Sequence, residues 1–220
     1  MKILRSFEEF VFEVATWLVL YPRTLIRIVA RPVTMLEWAE REEAAEEARR
    51  YDEHLNPIVL LLLTLAIAAG VAAALHVQND DAPVSATTGW LRRSPEYAVL
   101  FRSILFSLLP LTAAVDLARR RGQRPSRESL RRPFYAECYL VSPFAIAVSA
   151  GADIFIRPDV PNAVGVVVIV TGLAWFLTAQ MRWFRHALSL SWPGAALATA
   201  WATGRAVVYM AAIMVAAALI

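Results

Sequence analysis

A single cysteine, Cys138, and three histidines, His54, His76 and His186, are all that this chain holds of thiol and imidazole. One cysteine excludes an intrachain disulfide and any metal or cluster site built from several thiolates. The histidines fall in three different regions without HExxH spacing, and the sequence also lacks GxSxG and a glycine-rich phosphate cradle. The nearest approach to a metal cluster is His76 with Asp80 and Asp81, which a helix end followed by a polar turn explains as well. Cys138, within AECYL, reads as a small packing residue rather than a nucleophile or a palmitoylation site. No catalytic residue, cofactor site or metal site emerges, so a non-enzymatic protein is expected. A secretory signal is missing too: MKILR is a basic start, but Glu8, Glu9 and Glu13 interrupt the apolar core a signal needs, and no small-residue cleavage site follows.

What the chain has in excess is apolar surface. Hydrophobic residues make up 58% and mean hydropathy is +0.49, above the roughly 45–50% apolar usage of soluble domains. Five segments have the length and low charge of membrane spans: about 57–76, 97–117, 134–156, 162–181 and 193–220. The fourth is β-branched and would suit a buried strand in a soluble protein, but its length favours a helix in lipid. The expected fold is all-α: a polytopic membrane bundle of five helices over 56–220, preceded by amphipathic or interfacial helices over 1–55.

Net charge is +3 and the pI about 9.3, yet the basic residues sit beside apolar spans, where anionic headgroups are nearer partners than nucleic acid. Seven arginines, Arg119, Arg120, Arg121, Arg124, Arg127, Arg131 and Arg132, crowd between the second and third spans. With the head and the fourth-to-fifth connection, one side of a five-span chain carries 17 basic residues. The other carries 3: Arg92, Arg93 and Arg157. This bias predicts a cytoplasmic N-terminus and an outside C-terminus in a bacterial inner membrane.

In the head, Phe7, Phe10, Val11, Val14, Leu18 and Tyr21 recur at helical spacing, which predicts an interfacial helix. Pro22 and Pro32 bracket TLIRIVA and predict breaks or helix starts rather than one long helix. Whether these pieces lie on lipid or pack against the bundle mouth stays open. Residues 37–53 are strong helix formers with Glu37–Arg41 and Glu46–Arg50 at i,i+4 spacing and a net charge of −5. The arginine connection, with Glu128, comes to +6. The two are expected to dock on each other, the alternative being a solvated acidic face and arginines bound only to headgroups.

Charges inside spans carry functional hypotheses because each costs about 2.5–3.5 kcal/mol or more at mid-helix. Arg102 and Asp153 lie toward the outer ends of their spans and can pair. Asp116 and Glu137 lie near the inner ends, where the arginine connection is the expected partner. Arg205 lies deepest, roughly 16 Å along its span at about 1.5 Å per residue. No carboxylate matches it in depth. That leaves backbone carbonyls, Tyr139, Ser142 or Thr178 as local partners, and otherwise a crevice, a lipid phosphate or another subunit. Pro143 and Pro110 are expected to kink their spans.

The head segment RTLIRIVARPV, the NP-led first span YDEHLNPIVLLLL and the third span opening RRPFYAECYLVSPFAI, with five spans and an outside C-terminus, resemble bacterial Yip (Ypt-interacting-protein) domain membrane proteins. The resemblance implies a non-enzymatic membrane role. Eukaryotic members of that family act in vesicle trafficking and bind membrane partners, including small GTPases. This chain has a shorter cytoplasmic head than those proteins, a departure bearing on GTPase binding, and the resemblance transfers no functional residue. Two readings stand. One is a membrane scaffold or assembly and trafficking-type factor that docks lipids and a membrane-protein partner or second copy through its cytoplasmic face. The other is a small transporter or channel for an anion or lipid headgroup, with Arg205 in the pathway.

Overall fold

The computed structural model describes residues 2–44, 51, 54–74 and 95–219, and among these every regular element is a helix. In chain order they are α1 (Lys2–Ala30), α2 (Pro32–Glu42), α3 (Pro57–Ala74), α4 (Pro95–Arg120), α5 (Arg127–Phe155), α6 (Asn162–Leu188) and α7 (Trp192–Leu219). Helices α3 to α7 each contain a stretch long and apolar enough to cross a membrane, which gives the five-span, all-α bundle expected from hydropathy.

The helices outrun the apolar stretches that revealed them. α5 starts at Arg127 rather than near Phe134, because Ser126 and Ser129 form a reciprocal cap: Ser129 N donates to Ser126 Oγ at 3.1 Å and Ser126 N to Ser129 Oγ at 2.9 Å. α6 continues to Leu188 and stops at Ser189, which takes the left-handed conformation (φ 52°). Hydropathy marks where lipid would end, not where the helix does. The seven arginines therefore form no long loop. Arg119 and Arg120 end α4, Arg127, Arg131 and Arg132 open α5, and only Arg121 and Arg124 lie in the connection. The NP motif is a helix start, with Asn56 Oδ1 accepting from Ile58 N at 3.0 Å and Pro57 opening α3.

Two expectations for the head are corrected. α1 runs unbroken through Pro22. The proline forfeits one helical bond, but contacts on both sides of it hold the helix: Tyr21 Oη shares a 3.1 Å hydrogen bond with Thr64, Leu55 N donates to Thr24 Oγ1 at 3.3 Å, and Arg27 Nη1 meets His54 Nε2 at 2.8 Å. The inward stripe is Trp17, Leu20, Tyr21, Leu25 and Ile28, whereas Val11 and Leu18 of the expected apolar face are exposed, along with Phe12 and Val19. The second half of α1 thus packs on the bundle while its outer side stays apolar and open to lipid. The acidic helix, expected over 37–53, is α2, which opens at Pro32 and closes at Glu42. Glu46, Glu47, Arg49, Arg50, Asp52 and Glu53 lie outside the described residues, as do His76, Asp80, Asp81, Arg92 and Arg93.

α5 is the hub, packed against α6, α4, α3, α2 and α1. Its residues from Ala136 to Ser142 are buried on every side, and Tyr139 Oη donates to the Leu55 carbonyl at 2.7 Å. α5 and α6 meet through Gly151 and Gly165, where a Cβ on Gly165 would lie 2.5 Å from the Gly151 carbonyl oxygen and 2.7 Å from Phe155 N. α7 packs mainly on α4 and α6, with Leu197, Trp201, Val208 and Val215 turned outward.

Candidate functional site

The bundle has one strongly basic end, formed by the last turn of α4, the first turns of α5, the end of α6 and helix α2. Here the acidic side chains of α2 and its turn dock on the arginines. Glu40 takes Arg121 in a two-pronged pair, Oε1 to Nη1 at 2.8 Å and Oε2 to Nη2 at 3.1 Å. Glu43, whose side chain is nearly fully buried, forms an ion pair with Arg131, Oε2 lying 2.9 Å from Nε, and accepts a hydrogen bond from Tyr51 Oη at 3.1 Å. Burial, reinforced by the Glu43 charge, pushes the Tyr51 phenol up from its ordinary value and keeps it a donor. Glu37 pairs with His186 at the end of α6, and Arg41 turns to the Glu37 carbonyl at 3.3 Å, so the expected Glu37–Arg41 carboxylate pair does not form.

These contacts use two of the seven arginines. Arg119, Arg120, Arg124, Arg127 and Arg132 are exposed and make no hydrogen bond or ion pair with a described residue. Two depressions open among them. One, about 400 Å³, is walled by Glu40, Arg121, Ser126, Glu128, Ser129 and Arg132, with Pro133 as its apolar member, and is mainly polar. The other, about 500 Å³, lies between α4 and α5 and combines Arg127 and Arg131 with Leu111, Leu130, Phe134 and Tyr135.

Farther into the bundle, Arg205 has the carboxylate that depth alone denied it. Its Nη2 lies 2.6 Å from Asp116 Oδ1 and donates to the Thr112 carbonyl at 3.3 Å, with its guanidinium 5.8 Å from the centre of the Trp201 ring. Side chains on a helix lean toward its N-terminus. α7 begins at the basic end, so the long Arg205 side chain reaches back down its own helix to Asp116 of α4. Asp116 thus takes Arg205 as its direct partner, while Arg120 and Arg119 of the expected arginine connection act on it electrostatically without a direct ion pair. Tyr139, Ser142 and Thr178 are engaged with backbone carbonyls elsewhere. Glu137 is corrected: fully buried, it accepts from Gln180 Nε2 at 2.8 Å instead of from an arginine. Gln180, inside a span free of formal charge, drew no notice in the sequence; an amide among β-branched and apolar residues was the available signal. Toward the opposite end, Arg102 and Asp153 are near enough to interact electrostatically without forming a direct ion pair.

The arrangement can bind anions at its basic end, while its deepest cation is closed on an acid of its own chain. The chain matches no known family model, no curated protein and no solved structure.

Proposed function

We propose that this multi-pass membrane protein is a non-enzymatic scaffold whose cytoplasmic face docks anionic lipid headgroups and a protein partner. One observation carries the reading: α2 is clamped to the bundle by Glu40 and Glu43, and five exposed arginines remain around it with no partner in the described residues. A basic face held in fixed shape is suited to hold a negatively charged surface. The organisational resemblance to Yip domain proteins points the same way, toward association rather than chemistry. The transport reading rested on an unsatisfied Arg205. The pair with Asp116 supplies a partner within the chain, which favours the scaffold, while Arg205 Nε and Asp116 Oδ2 stay buried without a hydrogen bond among the described residues.

The test is purification of the full-length chain from its native membranes in a mild detergent, beside a variant carrying Arg119→Gln, Arg120→Gln and Arg124→Gln. A stable stoichiometric partner held by the parent and lost by the variant, with both equally folded, supports the scaffold. A parent chain that is monomeric and alone, in detergent and after cross-linking in the membrane, overturns it.

A further inference from the structure

The depression between α4 and α5 has the two-part chemistry of an amphiphile. Arg127, Leu130, Arg131 and Phe134 stand at i, i+3, i+4 and i+7 on one face of α5, opposite Leu111 of α4, and with Tyr135 they line an open depression of about 500 Å³. The cations lie in the first turns of α5. Phe134 lies roughly 10 Å deeper at about 1.5 Å per residue, and Leu111 is 40% exposed on the facing wall. The groove is therefore charged at the basic end and apolar toward the middle of the bundle.

Its two arginines are set up differently. Glu43 holds Arg131 in an ion pair at Nε, and the guanidinium lies 5.7 Å from the centre of the Tyr135 ring, an arrangement that keeps the charge at the groove while leaving its Nη groups without a described partner. Arg127 has no described partner at all and sits at the N-terminal turn of α5, where the helix dipole adds positive potential. A free anion would gain nothing from Leu111, Leu130 and Phe134. A neutral amphiphile would gain nothing from the arginines. A third depression, lined by Arg182, Arg185, His186, Ser189 and Leu190, has Leu190 as its one apolar lining residue.

We propose that this groove is a specific site for one anionic phospholipid, its phosphate on Arg127 and Arg131 and its upper acyl carbons along Leu111, Leu130 and Phe134. The inference rests on the docking reading above and names the lipid class that the face takes.

The test uses the full-length protein, delipidated in a neutral detergent and titrated with phosphatidylglycerol, phosphatidylcholine or soluble glycerol phosphate, with bound lipid counted by native mass spectrometry. One phosphatidylglycerol per chain is expected, in preference to phosphatidylcholine, and glycerol phosphate should not displace it. Arg127→Gln should weaken binding about fivefold, the effect of one basic residue near an anionic surface. Leu111→Trp, which fills the apolar half and leaves both arginines, should weaken it comparably, and Arg185→Gln should not. Arg127→Lys, expected to restore most of the affinity, guards against misfolding as the cause. Equal binding of the two lipids, displacement by glycerol phosphate, or unchanged binding in both Arg127→Gln and Leu111→Trp overturns the site. Because Arg119, Arg120 and Arg124 lie outside the groove, loss of the lipid site with the protein partner retained removes this inference alone.

Discussion

Removing Asp116 tests whether the Arg205 pair is structural. The Asp116 side chain is 7% exposed and that of Arg205 19%, so Asp116→Ala leaves a largely buried guanidinium with only the Thr112 carbonyl and the Trp201 ring. Stripping one partner from a buried pair costs about 3–5 kcal/mol. The residual exposure and two surviving contacts of Arg205 bring the expected loss to about 2–3 kcal/mol, or about 5–10 °C in Tm for a chain of this length. Replacing both residues is a different perturbation. Asp116→Ala with Arg205→Leu removes the stranded charge and leaves apolar groups, and such replacements of buried ion pairs are often neutral. The double variant should therefore be more stable than Asp116→Ala alone, with a coupling of about 1–3 kcal/mol in the mutant cycle.

The assay is reversible unfolding of the full-length protein in mixed micelles at increasing fraction of denaturing detergent, followed by the fluorescence of its seven tryptophans. Additive effects of the two substitutions, or an Asp116→Ala variant within about 0.5 kcal/mol of the parent, would refute the pairing argument. The same Arg205 substitution in liposomes bears on transport. Loss of a flux in a folded Arg205→Leu variant would revive the pathway reading.

Three further outcomes follow from the packing and the basic end. Gly165→Leu should force α5 and α6 apart, since even a Cβ at Gly165 would meet the Gly151 carbonyl oxygen at 2.5 Å; a loss of about 3 kcal/mol or more is expected, and a stable variant would show that the helices do not touch there. The raised Tyr51 pKa stabilises the fold fully below the ordinary value of 10.0, and that contribution is lost as pH rises above it, because the unfolded chain then releases a proton that the folded one retains. Stability measured across that range should fall more steeply in the parent than in Tyr51→Phe, and parallel curves would remove Tyr51 from the account. Arg121→Gln should increase protease cleavage near α2 by breaking the two-pronged pair with Glu40, whereas Arg124→Gln should not; equal effects would mean that Glu40 holds nothing in place.

Hydropathy and charge made the five spans and the docking of acids on arginines legible, because both depend on composition along the chain. What escaped depends on the direction of individual side chains. Arg205 and Asp116 differ in depth when helices are treated as rulers with level ends, and the match appears only when the lean and reach of the guanidinium are added. Glu137 lies near the inner end of its span, within reach of the arginine connection by depth, yet it faces α6, where Gln180 waits at 2.8 Å. Pro22 predicted a break by local rules, and contacts from Tyr21, Thr24 and Arg27 to residues far along the chain overrode them. The site was half legible: the arginines were named, but their division into clamped and unclamped members follows from which acids α2 presents.

That division explains a bias in composition. Of 22 basic residues, Lys2 is the lone lysine. A lysine is a point charge on a flexible stem, whereas an arginine holds its donors in a planar fork. At Arg121 both terminal nitrogens are taken by Glu40, so that side chain serves only to hold α2 down. At Arg131 the carboxylate of Glu43 makes an ion pair at Nε, and the same side chain lines the α4–α5 groove, its terminal nitrogens without a described partner. One guanidinium can thus hold an ion pair at Nε and keep its two terminal nitrogens for another anion, which an ammonium, with a single nitrogen, cannot do. The acids of α2 accordingly do more than cancel charge. By engaging Arg121 and Arg131 they build a rigid rim, and the unclamped Arg127 then meets an incoming phosphate beside an Arg131 already held by Glu43.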